Sequence, residues 1–171
     1  QEVFDIHDII AQVIGLLKPV QPPMIQVEFN RSPQILKLKG SKEQLLRVMQ
    51  NLCQNALDAM GQAGSLRIRT ENIYLDTPVG QYIEIKTGEY VKITVSDTGA
   101  GIPDSIKDKI FDPFFTTKKG SQKRGSGLGL SIVHGIVKDH GGYIDLESEV
   151  GRGTTFYVYL PIFREGAPEG V

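Results

Sequence analysis

The chain has 171 residues, 40% of them apolar and 23% charged, and 19 basic against 20 acidic residues leave a net charge of −1. That is enough chain for one globular domain with a full core, without the basic excess of a nucleic-acid binder. A single cysteine excludes a disulfide framework and a thiolate metal site, and no apolar run is long enough to span a membrane.

The opening Gln1-Glu2-Val3-Phe4-Asp5 is neither a signal peptide nor an initiator, and suggests a fragment of a longer protein. Apolar residues Phe4, Ile6, Ile9, Ile10, Val13, Ile14 and Leu17 predict an amphipathic helix over 4–18, stopped by Pro19, Pro22 and Pro23. Ile25 to Phe29 alternates as a strand, and Ile35 to Leu38 suggests a second, short one. Ser41, with Gln44 three residues on, is a helix start; the helix runs to Met60 and stops at Gly61 and Gly64. Its predicted buried stripe is Leu45, Val48, Met49, Leu52, Ala56, Ala59 and Met60. Leu66–Tyr74 and Tyr90–Val95 read as strands, joined by a polar connection, 76–89, with its own strand at Tyr82–Ile85.

A glycine turn, 97–101, leads to Pro103 and a short helix through Ile110. Residues 112–127 are polar, basic and glycine-rich, a long loop of the kind that usually serves function. A helix over Leu128–Asp139, strands over Tyr143–Ser148 and Thr154–Leu160, and a linker from Arg164 complete the chain. This order predicts an α+β fold, a two-layer sandwich with a mixed, mostly antiparallel sheet and helices on one face. The domain is expected over 1–163, with 164–171 as tail.

Asn51 and Asn55 lie four residues apart on one helix face, and Asp58 extends the stripe along the edge of the core. Asparagine is a poor mid-helix residue, so the pair suggests oxygen ligands for a hard cation such as Mg²⁺; a solvated polar face is the plain alternative. Asp97-Thr98-Gly99-Ala100-Gly101 follows an apolar strand. Its glycines let backbone approach a flat ligand, and a carboxylate there accepts from an exocyclic amine such as adenine N6; an ordinary Asx turn is the alternative.

Gly125-Ser126-Gly127-Leu128-Gly129-Leu130 opens a helix, where backbone N–H groups make an anion site. It fits neither the dinucleotide pattern, because position 130 is Leu, nor a Walker A loop, because Ser126-Gly127 stand where Lys-Ser/Thr is needed. Nor is it a protein-kinase glycine loop. Lys118, Lys119, Lys123 and Arg124 lie within reach in sequence of such a phosphate site. His7 precedes Asp8 but reads as a surface residue; His134 and His140 read as structural, and Cys53 as a packed small side chain.

Taken together, Asn51 to Ala56 resembles an N box, Asp97 to Ile102 a G1 box and Ile110 to Lys118 an F box. Gly125 to Leu130 resembles a G2 box and Gly151 to Phe156 a G3 box. The chain thus resembles the catalytic ATP-binding domain of bacterial sensor histidine kinases, in the nitrogen-regulation-like branch, with the Bergerat fold of three main helices on a mixed sheet. The resemblance implies ATP and Mg²⁺ as cofactors and γ-phosphoryl transfer to a histidine. It makes Asn55 the Mg²⁺ ligand, with Asn51 beside it, and Asp97 the holder of adenine N6, assisted by Gly101 and Thr154. Gly125–Gly129 would cradle phosphates, and 103–126 would form a lid packed by Phe114 and Phe115. The implied nucleotide contacts are Asn55, Asp58, Asp97, Gly99, Gly101, Ile102, Phe114, Phe115, Thr117, Lys118, Gly125, Ser126, Gly127, Leu128, Gly129, Leu130 and Thr154. Asn51, Asn55, Lys118 and Arg124 are the implied catalytic residues.

Many sensor kinases carry Lys or Arg three residues after the Mg²⁺ asparagine. Here that residue is Asp58, which leaves phosphate contact to Lys118 or Arg124. The implied partners are a histidine-bearing dimerisation domain and a response regulator, in the cytoplasm, without nucleic acid or direct membrane insertion. The ATP-driven clamps of related fold resemble one another in having Glu four residues before that asparagine, as base for water. Here it is Asn51, which cannot take the proton.

Overall fold

The computed structural model describes residues 1–80, 84–111 and 128–165. Strand β1 (Glu2–Phe4) leads into helix α1 (Ile6–Leu17), strand β2 (Met24–Asn30), strand β3 (Leu38–Gly40) and helix α2 (Lys42–Met60). Strands β4 (Ala63–Leu75) and β5 (Gly88–Asp97) follow, then a 3-10 turn at Asp104–Lys109, helix α3 (Leu128–Asp139) and strands β6 (Tyr143–Glu149) and β7 (Gly153–Pro161). The main sheet runs β2-β4-β5-β7-β6, parallel only between β2 and β4. The expected mixed, mostly antiparallel sheet is thus present.

Alternation along the central strands divides the sheet into two faces. Val91, Ile93 and Val95 of β5 and Leu66 and Ile68 of β4 are buried in one core with Ile6, Ile10 and Val13 of α1, Leu45, Met49 and Leu52 of α2 and Val133 and Val137 of α3. Arg67, Arg69 and Lys92 take the other positions, and Lys92 Nζ lies 4.7 Å from the Tyr157 ring centre. Asp97 falls in phase with Val91, Ile93 and Val95. A carboxylate therefore ends a row of core residues, at 8% exposure.

Ser41 caps α2 as its sequence predicts, accepting the Gln44 N–H at 3.2 Å. The buried stripe differs from expectation at its end: Ala59 and Met60 are half-buried, while Cys53 and Leu57 are buried. The last residues meet the 97–101 turn, through Ala59 O and Met60 Sδ, while Met60 still packs on the rim of the core. Burial pushes the Cys53 thiol up to about 12, so it packs as an apolar side chain.

Strand β3 begins where the predicted 35–38 strand ends, because its partner is β1, three residues that no local pattern announces. Of the predicted 82–85 strand, residues 82 and 83 lie outside the described residues, and Ile85 makes an isolated antiparallel bridge to Val79.

His7 is the clearest correction. It is buried, with Nε2 2.7 Å from Thr70 Oγ1 on β4 and its ring edge-on to Phe29. A partnered imidazole can sit at the border of a helix's buried face, where periodicity counts it as polar. Burial holds its pKa below the ordinary value, with Asp5 opposing, Arg31 reinforcing and Asp8 opposing.

His140, one residue past α3, joins two helices. Ser41 N–H donates to its Nε2 at 3.1 Å, and Nδ1 donates to Ile136 O at 2.8 Å. A Cβ on Gly40 would overlap this ring. His134 packs beside Phe111.

Candidate functional site

The site is built where the C-terminal half of α2, the end of β5 and the β6–β7 turn meet. Ala100 N–H donates to Ala59 O at 3.2 Å, and a Cβ on Gly99 would lie 2.7 Å from that same carbonyl. Glycine at 99 thus allows the 97–101 turn to seat directly on the last turn of α2. Thr98 Oγ1 accepts the Ser65 N–H at 3.0 Å, fixing the other flank.

Asp97 Oδ1 accepts two backbone N–H groups, from Gly99 at 2.8 Å and from Thr154 at 3.3 Å. Burial pushes its carboxyl above the ordinary aspartate value, and these two hydrogen bonds oppose that rise. Gly101 (φ +80°) and Gly153 (φ +123°) sit where a side chain would strike backbone, of Glu149 and of Asp97 respectively. Gly151 N–H donates to Ala100 O at 2.8 Å. The two glycine turns therefore interlock around the carboxylate. Ser148 Oγ accepts the Ile102 N–H at 2.7 Å, and Lys107 Nζ, buried at 6% exposure, donates to the Ser148 carbonyl. A cavity of about 360 Å³ opens at this end of the sheet; Asp97, Ser148 and Thr154 line it together with Ser96, Glu147 and Thr155 of the opposite face, and no α2 residue does.

On α2, Asn51, Asn55 and Asp58 are all half-buried on one side, as their spacing requires. Asn51 Nδ2 donates to Gly129 O at 3.5 Å, the long limit of such a bond, which brings α2 against the first turn of α3. Asp58 accepts from Gln54 at 3.1 Å. No hydrogen bond holds the Asn55 amide among the described residues. Gly129 has open space where a Cβ would stand, and Ile102 and Leu130 pack against the core. Phe114, Phe115, Thr117, Lys118, Arg124, Gly125, Ser126 and Gly127, with the Leu128 side chain, lie outside the described residues.

A Mg²⁺ ion needs few protein ligands, because it keeps waters and takes phosphate oxygens. No group of three His, Cys, Asp or Glu side chains suited to a metal occurs among the described residues. A half-buried amide with no hydrogen-bond partner among the described residues, one helical turn from another, fits such a sparse site.

Ser148 and Lys107 escaped the sequence reading. A serine ending a strand and a lysine in a polar turn carry no local signal. The roles arise only when β6 and the 3-10 turn meet.

Residues 40–164 match the family described as Histidine kinase-, DNA gyrase B-, and HSP90-like ATPase. The chain belongs to this family. It is 41% identical over 161 residues to the sensor kinase CckA of Brucella abortus, covering 94% of this chain and 17% of that protein. The sensory histidine kinase/phosphatase NtrB of Salmonella typhimurium is 32% identical over 158 residues, 92% of this chain and 43% of that one. The chain thus spans less than half the length of these relatives. The solved catalytic domain of histidine kinase ThkA superposes with a TM-score of 0.76 at 32% identity, covering 94% of this chain and 95% of that one. ThkA has also been solved in complex with the response regulator TrrA, with a TM-score of 0.73, 30% identity and coverage of 97% of this chain and 43% of that one. The fold and family expected from the five boxes are therefore those found, and a domain of this family uses nucleotide.

Proposed function

We propose that this domain binds Mg²⁺-ATP and donates the γ-phosphoryl group to a histidine on a separate dimerisation domain, from which a response regulator is phosphorylated. The observation that carries the reading is Asp97: a buried carboxylate, held by two N–H groups on one oxygen, whose other oxygen remains to accept from adenine N6. Asn55 would hold the ion with Asn51 beside it, and the ion would neutralise charge on the transferred phosphoryl group. The α3 N-terminus, with Gly125–Gly129, would meet the phosphates, and Lys118 or Arg124 would stand near the γ-phosphate. Positioning supplies most of the catalysis, because the acceptor imidazole is itself the nucleophile. Asn51 offers no carboxylate to deprotonate water, which supports transfer over hydrolysis.

The domain is proposed to extend through residue 163. Phe163 N–H donates to Lys37 O at 2.9 Å, and Ile162 N–H to Glu89 O at 3.2 Å. Arg164 adds an ion pair to Glu89 at 2.6 Å, so the first residue of the proposed tail is itself attached. Among the described residues no helix is long and apolar enough to cross a membrane. The location that goes with this proposal is the cytoplasm, where ATP is available.

The test mixes this chain with γ-labelled ATP and a separately produced dimerisation domain from a related kinase. Acid-labile, base-stable label on that domain's histidine is the expected result; free phosphate as the main labelled product would refute transfer. Asn55→Ala should lower Mg²⁺-dependent ATP affinity by roughly 100-fold or more, since losing even a group that merely supports a metal ligand costs about 10–100-fold. Affinity without Mg²⁺ should stay level in the same calorimetric titration.

Oδ1 of Asp97 is taken by two N–H groups, so a proton on the carboxyl would sit on Oδ2 and turn that oxygen into a donor. Acceptance from an amine therefore favours the ionised carboxyl. With its pKa raised by burial, affinity for ATP should fall on acidification sooner than an ordinary aspartate, of pKa about 3.9, would dictate. Titrating Asp97→Asn alongside isolates this limb from protonation of the phosphates, and the variant should lack it.

A further inference from the structure

Ser148 Oγ has three neighbours at hydrogen-bond distance. Ile102 N–H donates to it at 2.7 Å, Gly153 O lies at 2.9 Å and Thr154 Oγ1 at 2.8 Å. A serine hydroxyl owns one proton and accepts two hydrogen bonds. Gly153 O is a carbonyl and only accepts, so the Ser148 proton goes to it. The proton between Ser148 and Thr154 then comes from Thr154. This arrangement satisfies Ser148 completely, with one bond given and two accepted.

Thr154 is thereby left with lone pairs only. Its backbone N–H is also committed, to Asp97 Oδ1. Asp97 and Thr154 stand side by side at the end of paired strands, both in the lining of that cavity, and each has only lone pairs left to offer. An exocyclic amine matches such a pair, whereas a keto oxygen meets lone pairs and loses its hydrogen bond. Lys107 steadies the arrangement by holding the carbonyl of Ser148, with its own ammonium also paired to Asp104 at 2.6 Å.

We infer that Ser148 is a specificity-setting positioning residue: by taking the Thr154 proton it fixes that hydroxyl as an acceptor and biases the pocket toward 6-amino purines over 6-oxo purines. The inference rests on the reading of Asp97 and Thr154 as the base-binding end of the site.

The experiment compares ATP with inosine triphosphate, in which a keto oxygen replaces the amine, by calorimetric titration. The wild-type chain should prefer ATP. Ser148→Ala should narrow the ATP-to-ITP ratio by roughly tenfold, the scale of one hydrogen bond, because the freed Thr154 hydroxyl can turn its proton toward the keto oxygen. In a Thr154→Val background, Ser148→Ala should move the ratio no further. Equal loss for both nucleotides, with the ratio at its wild-type value, would make Ser148 a mere loop fastener and overturn the inference. So would a ratio change that persists in the Thr154→Val background. If Ser148→Ala does not fold, Thr154→Ser should keep the wild-type ratio and Thr154→Val should narrow it; an unchanged ratio in Thr154→Val overturns the inference equally. Failure of the underlying reading looks different: ATP binding is then absent, or is indifferent to Asp97→Asn, and both ideas fall.

Discussion

Asp97→Asn should reverse the base preference of the pocket. The N–H groups of Gly99 and Thr154 converge on Oδ1, so an asparagine must turn its carbonyl oxygen toward them. Its NH₂ then stands where the free carboxylate oxygen stood, a donor in place of an acceptor. Adenine N6 loses its partner, and a keto oxygen at the same place gains one. Sites built around a buried base hydrogen bond discriminate by up to roughly 10⁴-fold, so the expected change spans orders of magnitude and exceeds anything a surface substitution produces. Parallel titrations with ATP and GTP read it directly. An unchanged preference would remove Asp97 from the base.

Stability separates this effect from unfolding. Burial raises the folded-state pKa of Asp97, so the charged form is disfavoured by folding. The linkage sign follows: stability falls as pH rises from the unfolded pKa through the folded one, and the penalty persists at neutral pH. The asparagine variant sheds that penalty, so it should melt no lower than the wild type while its nucleotide preference changes.

Gly153→Ala should be, with Gly101→Ala, among the most damaging single methyls at the described glycines. At φ +123° a new Cβ would overlap the Asp97 carbonyl oxygen and lie 2.9 Å from its carbon and 3.0 Å from Thr98 Cα. These are backbone atoms of a paired strand end, where Asp97 stands opposite Thr154, and they cannot swing aside as a side chain would. Backbone strain and overpacking together amount to about 3 kcal/mol or more. For a domain of this size that lowers the melting temperature by roughly 6–12 °C. Gly151→Ala is the control. It also has positive φ, +85°, but nothing lies within 4 Å of the new methyl, so only local strain of about 1–2 kcal/mol applies. Thermal unfolding followed by circular dichroism distinguishes them, and equal melting would refute the steric account.

The elements legible from sequence are those with a local cause. Ser41 and Gln44 mark the start of α2, Leu128–Asp139 is helical at the predicted bounds, and alternation through Val91, Ile93 and Val95 delivers Asp97 to the inner row. The polar stripe of Asn51, Asn55 and Asp58 was likewise readable from helical geometry. What escaped depends on partners distant in the chain. β1 and β3 pair across 36 residues, and His7 is buried only because Thr70 on β4 offers a hydroxyl. Ser148 becomes a junction when Ile102 folds over it. Each is a polar or short segment whose burial is compensated by a remote group, which no window of neighbouring residues contains.

The two helices that flank the proposed phosphates are joined unequally. At one end the His140 ring, locked between Ser41 and Ile136 with no room beside Gly40 for even a methyl, makes a tight rivet. At the other, Asn51 reaches Gly129 only at 3.5 Å. Between these ends the helices share the apolar core, so they stay together whichever bond is made. A ligand seated at the Asn51 end would therefore displace one weak hydrogen bond and leave the fastened end untouched.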